Sequence, residues 1–526
     1  MVELKRKTSG ENMFTMEVGR RVFCDGHYGT IRFIGEVPPT KGIWLGIDWD
    51  HPLRGKHDGT YNGVQYFTAS YPKSGSLVRP EKLNFGCSIV ESIRTKYGTP
   101  QSEEELAKAE ETMQEVQRSI KARFFEVVGF DKVEANQSHL QSLQIVSLAG
   151  LPVNGPGPLP ELQLVCPNIT ELDLSHTLLH SWDSVAAISG QLVNLSVLNI
   201  SENRLASPED VKELRPAFDS LHTLIMARCS YNWSDILSFS GMWPNIKHLK
   251  IMFNAISEIS EPADTLLNLE SLDLEGNVIS WEDVESLSKL TFFRSLNLTN
   301  THLHDISVSQ PLEGYFVALK HLNITNNSIS GWLSVSELNK LPGLEELRFK
   351  KNPLVDQGDC TPETVRQLII ARISNLKLLN GVVINSSERK GAENDYVNLY
   401  GPVWLEASKS EDKKARFLAY HPRYLELIEK YGPPESQESI KKSPLITVHL
   451  CRGDDSGPNH TRKLPSSMLI QRLANLVQRL FNVSHQNLKL SYISSKHPDQ
   501  EIALENHLKS LGFYSVSDND RIIVRW

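Results

Sequence analysis

Residues 269–279 read LESLDLEGNVI, which has the form L-x-x-L-x-L-x-x-N-x-L. Units of this form, some with one position changed, begin at nine places with spacings of 26, 26, 26, 25, 23, 24, 26 and 25 residues. A motif that recurs at so constant a period predicts a solenoid, in which each unit packs against its neighbours along the chain. The nine units begin at Leu143, Ile169, Leu195, Leu221, Ile246, Leu269, Phe293, Leu319 and Leu344.

Each unit predicts a short strand followed by a polar turn. In residues 272–274 the alternation of leucine with a polar residue places both leucines on the inner face. The asparagine that closes the motif, such as Asn277, has a side-chain amide that can bond backbone groups of the adjacent turn. We therefore expect α/β leucine-rich repeats with a ladder of stacked asparagines. The ladder should be interrupted in four units, which have Leu151, Thr177, Cys229 and Thr301 at this position.

The second half of four units repeats a triplet of apolar residues that begins with tryptophan. A spacing of three residues places each triplet on one helical face, turned toward the strands. We expect these tryptophans to pack in the core rather than to form a ligand cage. The array is then a scaffold with a concave face, and such faces bind other proteins. The triplets begin at Trp182, Trp233, Trp281 and Trp332.

The composition excludes several classes of function. With 526 residues the chain is expected to form three or four domains. The net charge of −8 argues against a nucleic-acid binder, which normally carries a basic stripe. No apolar run approaches about 18 residues, so we expect no membrane span. Residues 1–14 lack the hydrophobic centre of a signal peptide, and the six cysteines show no C-x-x-C spacing. Both features predict a cytoplasmic protein with reduced thiols.

The sequence offers no set of residues for covalent chemistry. It contains no nucleophile and base at a recognisable spacing, no cluster with metal-ligand spacing and no G-x-x-x-x-G-K-[ST] phosphate loop. We therefore expect a protein that is not an enzyme, that holds no cofactor or metal, and that acts by binding.

Residues 14–87 are rich in glycine and aromatic residues, and their short apolar runs between glycines predict a small all-β barrel. Four of their segments resemble the CAP-Gly domain. In that family a G-K-N-D-G loop and a neighbouring aromatic groove bind acidic C-termini that end in an aromatic residue, such as tubulin tails. The segments are GIWLG at 42–46, GKHDG at 55–59, YF at 66–67 and VRP at 78–80.

This resemblance implies a binding site for a tubulin C-terminal tail. Lys56 and Arg79 would offer positive charge to carboxylates. Trp44 and Phe67 would form an apolar slot for a terminal ring, and the glycines of the loop would let a peptide backbone approach closely. The implied site comprises Trp44, Gly55, Lys56, His57, Asp58, Gly59, Phe67 and Arg79.

Three positions depart from the family pattern. The loop asparagine is His57 here, the phenylalanine two residues before the arginine is Leu77, and the cysteine after Tyr-Phe is Ala69. A histidine can still donate a hydrogen bond to a carboxylate, so binding would be altered rather than lost. We expect His57 to tighten tail binding modestly below about pH 6.5, where the ring becomes protonated.

The last part of the chain predicts an α+β domain. Strand patterns at 446–450 and 461–464 precede an amphipathic helix at 469–480, and further strand patterns follow at 488–492 and 521–524. This order is similar to ubiquitin-like (β-grasp) folds. The sequence stops at Arg525-Trp526 without a Gly-Gly pair, so we expect a docking module rather than a conjugated modifier.

The ordered set of modules resembles the tubulin-specific chaperone E (tubulin-folding cofactor E) family. The resemblance implies a cytoplasmic, cytoskeleton-associated protein that binds α-tubulin through its acidic tail and works with other tubulin cofactors, notably cofactors B and D. It implies roles in assembly and dissociation of the α/β-tubulin heterodimer. The predicted parts are a CAP-Gly domain (14–87), a helical connector (88–139), the repeat array (140–385), a helical cap and linker (386–443) and a ubiquitin-like domain (444–526).

Two alternatives remain open. A microtubule-tip linker would use the same CAP-Gly domain, although such a protein ought to show a long heptad coiled coil, and none is visible. An adaptor of the ubiquitin pathway would use the C-terminal domain to dock on the proteasome and the repeats as a substrate receptor.

Overall fold

The structure is a computed structural model that describes residues 16–98, 140–262, 264–308, 315–356, 361–434, 445–453, 459–481, 483, 488–495, 497–504, 506 and 509–526. The chain forms two compact units, one of residues 1–396 with 416–424 and the other of residues 397–415 with 425–526. Among the described residues, no helix is both long enough and apolar enough to cross a membrane.

The first domain is all-β, as the glycine-rich pattern predicts. Four of its strands form an antiparallel sheet in the order β1-β2-β3-β6, and the short β4 and β5 form a hairpin. Its core contains Ile31, Leu45, Ile47 and Trp49, all at most 1% exposed. The strands are β1 (Arg21–Cys24), β2 (His27–Val37), β3 (Thr40–Trp49), β4 (Thr60–Tyr61), β5 (Val64–Gln65) and β6 (Gly75–Val78).

The repeat array forms one eleven-stranded sheet in which β8 and β10–β18 are parallel and β19 closes the far edge in antiparallel orientation. Strand β9 pairs instead with β7. The strands are β7 (Cys87–Ser88), β8 (Ile145–Ser147), β9 (Val153–Gly155), β10 (Glu171–Asp173), β11 (Val197–Asn199), β12 (Thr223–Ile225), β13 (His248–Lys250), β14 (Ser271–Asp273), β15 (Ser295–Asn297), β16 (His321–Asn323), β17 (Glu346–Arg348), β18 (Leu378–Leu379) and β19 (Val382–Val383).

The helices of the array and its C-terminal cap lie between and after these strands. They are α1 (Ile89–Tyr97), α2 (Glu161–Val165), α3 (Trp182–Ser189), α4 (Val211–Leu214), α5 (Trp233–Phe239), α6 (Trp281–Glu285), α7 (Trp332–Glu337), α8 (Pro353–Asp356), α9 (Pro362–Arg372), α10 (Ser386–Ala407), α11 (Glu411–Tyr420) and α12 (Tyr424–Tyr431).

The predicted register of the repeats is confirmed. The middle leucines of consecutive strands are direct partners, for example Leu249, Leu272 and Leu296, and each is at most 1% exposed. The tryptophan triplets also pack in the core, as predicted. Trp182, Trp233 and Trp281 are at most 4% exposed, whereas Trp332 in the last helical triplet is only partly buried.

The asparagine ladder joins consecutive repeats. The Asn277 side chain accepts from the backbone N–H groups of Asn254 and Ile256, both at 3.0 Å, and donates to the carbonyls of Ile251 (3.1 Å) and Leu274 (2.9 Å). At two of the predicted interruptions, the threonine hydroxyl donates to a carbonyl of its own repeat. A hydroxyl has one donor where an amide has two. A threonine whose hydroxyl bonds its own repeat therefore has no second donor for a carbonyl of the preceding repeat.

The start of the predicted connector belongs to the array. The side chains of Ile89, Val90 and Ile93 on α1 are fully buried in the core of the repeats. The helix begins at a capping box, in which Ser88 and Glu91 bond each other's backbone N–H groups. The first unit of a solenoid needs a cover on its open side, and α1 provides it. The rest of the predicted helical connector, residues 99–139, lies outside the described residues.

The ubiquitin-like fold is confirmed by its strand order, β21-β20-β24-β22-β23, with β20 and β24 parallel. Its core includes Val448, Leu450, Leu473 and Ile522, all fully buried. The sequence pattern missed β23, whose residues HPDQEIA show no apolar alternation. The elements are β20 (Leu445–Arg452), β21 (His460–Pro465), α13 (Ile470–Phe481), β22 (Lys489–Ser494), β23 (His497–Ala503) and β24 (Asp520–Arg525).

Candidate functional site

The loop 55–59 of the first domain is fixed to the start of β6. The backbone N–H of Lys56 donates to the Gly75 carbonyl at 2.7 Å, and the Gly75 N–H donates to the His57 carbonyl at 2.8 Å. A Cβ added to Gly55 would lie 2.4 Å from the Gly75 carbonyl oxygen, so only glycine allows this approach. Gly59 adopts a φ of +106°, which a residue with a side chain rarely accepts. The two glycines of the motif therefore shape the loop.

An aromatic surface lies beside this loop, on one face of the β2–β3 ladder. Phe33 is the partner of Gly46, and Gly35 is the partner of Trp44, so all four lie on the same face. A Cβ on Gly35 would lie 2.6 Å from the Phe33 ring, and one on Gly46 would lie 2.5 Å from the Phe67 ring. The rings of Phe33 and Phe67 thus pack directly against the backbone of these glycines.

The aromatic rings of this surface differ in exposure. Phe67 is only 7% exposed, so it forms a floor, whereas Trp44 is partly exposed. Two further members, Phe33 and Tyr66, were not among the predicted site residues, although Tyr66 belongs to the YF motif. Both are partly exposed, and their rings meet edge to face at 5.2 Å between centroids. We call the surface formed by Phe33, Trp44, Tyr66, Phe67 and the loop 55–59 the groove.

Arg79 supports Trp44. Its guanidinium lies 4.0 Å from the centroid of the Trp44 ring, and its Nη1 and Nη2 donate to the carbonyls of Ile43 (3.0 Å) and Lys41 (2.8 Å). The resemblance to the CAP-Gly domain had implied that the Arg79 guanidinium faces a ligand carboxylate, but here both of its terminal nitrogens donate to backbone carbonyls. In this geometry Arg79 holds Trp44 and the backbone of residues 41–43 in place, and its positive charge lies against the Trp44 ring.

Lys56 presents the charge of the loop. Its side chain is exposed, and within 4.0 Å of its ammonium there is no carboxylate among the described residues. Asp58 has a different role, because its carboxylate accepts the Thr60 N–H at 2.9 Å and shapes the turn. That bond lowers the pKa of Asp58 below its usual range, so the carboxylate remains charged and would repel an acidic ligand.

His57 is held as a neutral ring. Its Nδ1 accepts the Gly59 N–H at 3.1 Å, which leaves the proton of the neutral ring on Nε2. Burial is the main cause that lowers the pKa of His57, the Lys56 charge lowers it further, and Asp58 acts in the opposite direction. The neutral ring can donate from Nε2. Protonation at Nδ1 would remove the bond from Gly59.

The first domain, which carries the groove and is called the groove domain below, contacts the first repeats of the array. The Tyr28 hydroxyl donates to the Gly150 carbonyl at 3.1 Å, and its ring meets the His176 ring edge to face at 4.2 Å. Asp50 pairs with Arg21 of its own domain and lies 3.3 Å from Arg204 of the array. Strand pairing of β7 with β9 adds backbone bonds. The groove and the repeats therefore belong to one compact unit.

Three comparisons place this architecture among known proteins. The model of the CAP-Gly domain matches residues 18–83, and that of the Leucine Rich Repeat matches residues 268–290. The tubulin-specific chaperone E of Danio rerio is 40% identical over 530 residues, which cover 98% of this chain and 100% of that protein. The chain belongs to the tubulin-specific chaperone E family. The Homo sapiens member of this family is 38% identical over 527 residues, covering 97% of this chain and 98% of that one.

One solved structure of a related domain is also similar to part of this tubulin-specific chaperone E family member. The C-terminal ubiquitin-like domain of mouse tubulin-specific chaperone e is 39% identical, with a TM-score of 0.16, and the match covers 16% of this chain and 90% of that one. Among the described residues, no group of three or more His, Cys, Asp or Glu side chains is placed to hold a metal ion.

Proposed function

We propose that this protein is a tubulin-folding cofactor that binds α-tubulin through the acidic C-terminal tail. In this role it takes part with other tubulin cofactors, notably cofactors B and D, in assembly and dissociation of the α/β-tubulin heterodimer. It acts by binding rather than by catalysis, in the cytoplasm and in association with the cytoskeleton. Support comes from relatives named tubulin-specific chaperone E that match nearly the whole chain. The observation that carries the proposal is the groove, where an exposed lysine borders aromatic rings.

The groove meets three chemical demands of an acidic tail with a terminal aromatic ring. Carboxylates need positive charge and a hydrogen-bond donor, which Lys56 and the Nε2–H of neutral His57 supply. The ring needs an apolar surface, which Phe67 and Trp44 form. The peptide backbone needs close approach, which the glycine-lined loop permits.

Replacing Lys56 by alanine is expected to weaken tail binding by about 1–3 kcal/mol, the range for loss of a charge-assisted hydrogen bond. The loss should shrink as salt is raised, because screening already weakens the wild-type attraction. Titration calorimetry with an α-tubulin tail peptide measures both effects. Lys73→Ala, at another exposed lysine of the same domain, is the control and should bind as the wild type does.

The same titration with a peptide that lacks its final aromatic residue tests the apolar part of the groove. We expect a loss comparable to that of Lys56→Ala. Equal affinity of the two peptides would show that this domain reads charge alone, and no binding of either peptide would refute the proposed site.

The depressed pKa of His57 moves the expected pH effect to lower pH. Because burial lowers the pKa of His57 from its usual range, the ring is mainly neutral between about pH 8 and pH 6.5, and tail affinity should change little in this range. Folding favours the neutral His57 ring, because it lowers the pKa of that ring. The resulting contribution to the free energy of unfolding is fully present above the pKa of histidine in the unfolded chain, and it is lost as pH falls through the lower pKa of the folded protein. His57→Asn, which restores the residue of the family motif, should show the same flat profile between these pH values. Tightening of the wild type alone within this interval would contradict the neutral assignment.

One pull-down separates the proposed function from the two alternatives. The full chain is offered tubulin heterodimer, polymerised microtubules and proteasomes in parallel. A tubulin-folding cofactor retains heterodimer. Retention of microtubules alone would indicate a tip linker, and retention of proteasomes without tubulin would indicate an adaptor of the ubiquitin pathway.

A further inference from the structure

An exposed apolar stripe runs along one edge of the array, in repeats that come later in the chain than those that contact the first domain. Leu267, Phe292 and Val317 are 55%, 52% and 63% exposed, and consecutive members are 25 residues apart. Each precedes the strand of its own repeat, and those strands, β14, β15 and β16, are direct neighbours. Neighbouring strands lie about 4.8 Å apart, so the three side chains follow one another along the edge. We call these three residues the stripe.

A row of charged residues runs beside the stripe, at the position directly before each strand. Hydrogen bonds between backbone groups join its members, because every member after the first donates its N–H to the carbonyl of the preceding member at 2.7–2.9 Å. Glu270 lies 3.4 Å from Lys247 and 3.7 Å from Arg294, and Glu345 lies 3.6 Å from Lys320 and 3.0 Å from Lys377. Each carboxylate is thus shared between two cations. We call these six residues the charged row: Lys247, Glu270, Arg294, Lys320, Glu345 and Lys377.

The charged row has a net charge of +2, because it contains four cations and two carboxylates, in a chain whose net charge is −8. The cations remain accessible, since Arg294 is 57% exposed and Lys377 is 65% exposed. The row is therefore a local positive surface on an acidic protein. Opposite charge across an interface selects partners and speeds their association.

Adjacent exposed apolar side chains mark protein interaction sites when polar residues border them. We propose that the stripe and the charged row together bind an acidic protein surface whose apolar side chains cover Leu267, Phe292 and Val317. The inference rests on the proposed function. Under that function the partner surface is the folded body of the tubulin subunit whose tail occupies the groove.

Two observations favour this occupant. The groove domain and the array belong to one compact unit, so a tail held in the groove raises the local concentration of its own folded body near the repeats. The cations of the row match an acidic partner. A second copy of this chain fits less well, because a twofold interface would place the charged row against its own positive charge.

The test uses tubulin heterodimer from which the C-terminal tails have been removed by protease, so that the groove has no ligand. Binding of the full chain is measured by interferometry for the wild type and two variants. One variant is Leu267→Ser/Phe292→Ser/Val317→Ser, and the other is Arg294→Glu/Lys320→Glu. We expect each to weaken binding by about tenfold or more. The triple serine variant should unfold thermally as the wild type does, because its changed side chains are exposed in the folded protein. The double glutamate variant should unfold at a slightly lower temperature, because it loses two exposed ion pairs.

Val278→Ser is the matched control, because Val278 is also 55% exposed but follows its strand rather than preceding it. It should bind as the wild type does. Unchanged binding of both edge variants, or no binding of tail-less tubulin to the wild type, would overturn the inference. Self-association of the wild type that the triple variant abolishes would assign the stripe to a second copy and also overturn it.

The tail peptide distinguishes this inference from the proposed function. Both edge variants should bind the peptide with wild-type affinity, because no residue of the groove is changed. If the wild type does not bind the tail peptide, the proposed role of the groove is wrong. If it binds the peptide but not tail-less tubulin, only the inference about the stripe and the charged row is wrong.

Discussion

Replacing Leu272 by aspartate is expected to unfold the central repeats. Leu272 is fully buried, and its partners in the neighbouring strands are Leu249 and Leu296. Loss of the leucine packing alone costs about 2–5 kcal/mol. An unpaired carboxylate between two leucines adds a desolvation cost of several kcal/mol. The sum is comparable to the whole stability of a typical domain, which is about 5–15 kcal/mol.

Limited proteolysis followed by mass spectrometry measures where the variant opens. Because contacts in a solenoid are between nearest neighbours, the first cuts should fall in the repeats beside Leu272. The ubiquitin-like domain has a separate core and should remain resistant. Leu267→Asp is the matched control, since Leu267 belongs to the same repeat but is 55% exposed. An intact array in the Leu272 variant would contradict the register of the repeats.

The array could be predicted from the sequence because its structure repeats at the same period as its chemistry. Leucines that recur every 23–26 residues become direct partners in neighbouring strands, so one register explains all of them. The asparagine ladder could be predicted for the same reason, since Asn254 and Asn277 each donate a hydrogen bond to a carbonyl of the preceding repeat. The helix α1 escaped this reasoning, because a cap lies outside the period and only its buried face, with Ile89 and Ile93, joins it to the repeats.

The groove could be located from its motif, but the roles of its residues could not. Arg79 bonds carbonyls of residues 41 and 43, more than thirty positions earlier, and no spacing rule predicts that pairing. Phe33 joins the aromatic surface only because it faces Gly46 across the ladder. The pKa of His57 depends chiefly on burial, which the pattern GKHDG does not contain. Motif and spacing thus located the groove as a candidate site, while tertiary contacts determine the surroundings of its charged residues.

Replacing Gly59 by alanine is expected to abolish tail binding while leaving the repeats folded. A Cβ at this position would lie 2.0 Å from the carbonyl oxygen and 2.7 Å from the carbonyl carbon of Phe67. Both are backbone atoms, so the loop itself has to move. The φ of +106° adds conformational strain of about 1–2 kcal/mol for a residue with a side chain. We expect a loss of at least about 3 kcal/mol in binding, on the order of a hundredfold in Kd.

The reason for so large a loss is that Gly59 joins the two halves of the groove. Its N–H bonds His57 Nδ1, and its carbonyl accepts the Tyr66 N–H at 3.1 Å. Movement of this residue therefore displaces the donor side and the aromatic side together. Gly63→Ala is the control that distinguishes backbone strain from a steric clash. Gly63 also has a positive φ (+77°), but a Cβ there meets nothing within 4 Å. Calorimetry with the tail peptide should show near wild-type affinity for Gly63→Ala and none for Gly59→Ala. Equal affinities would mean that the contact with Phe67 does not position the groove.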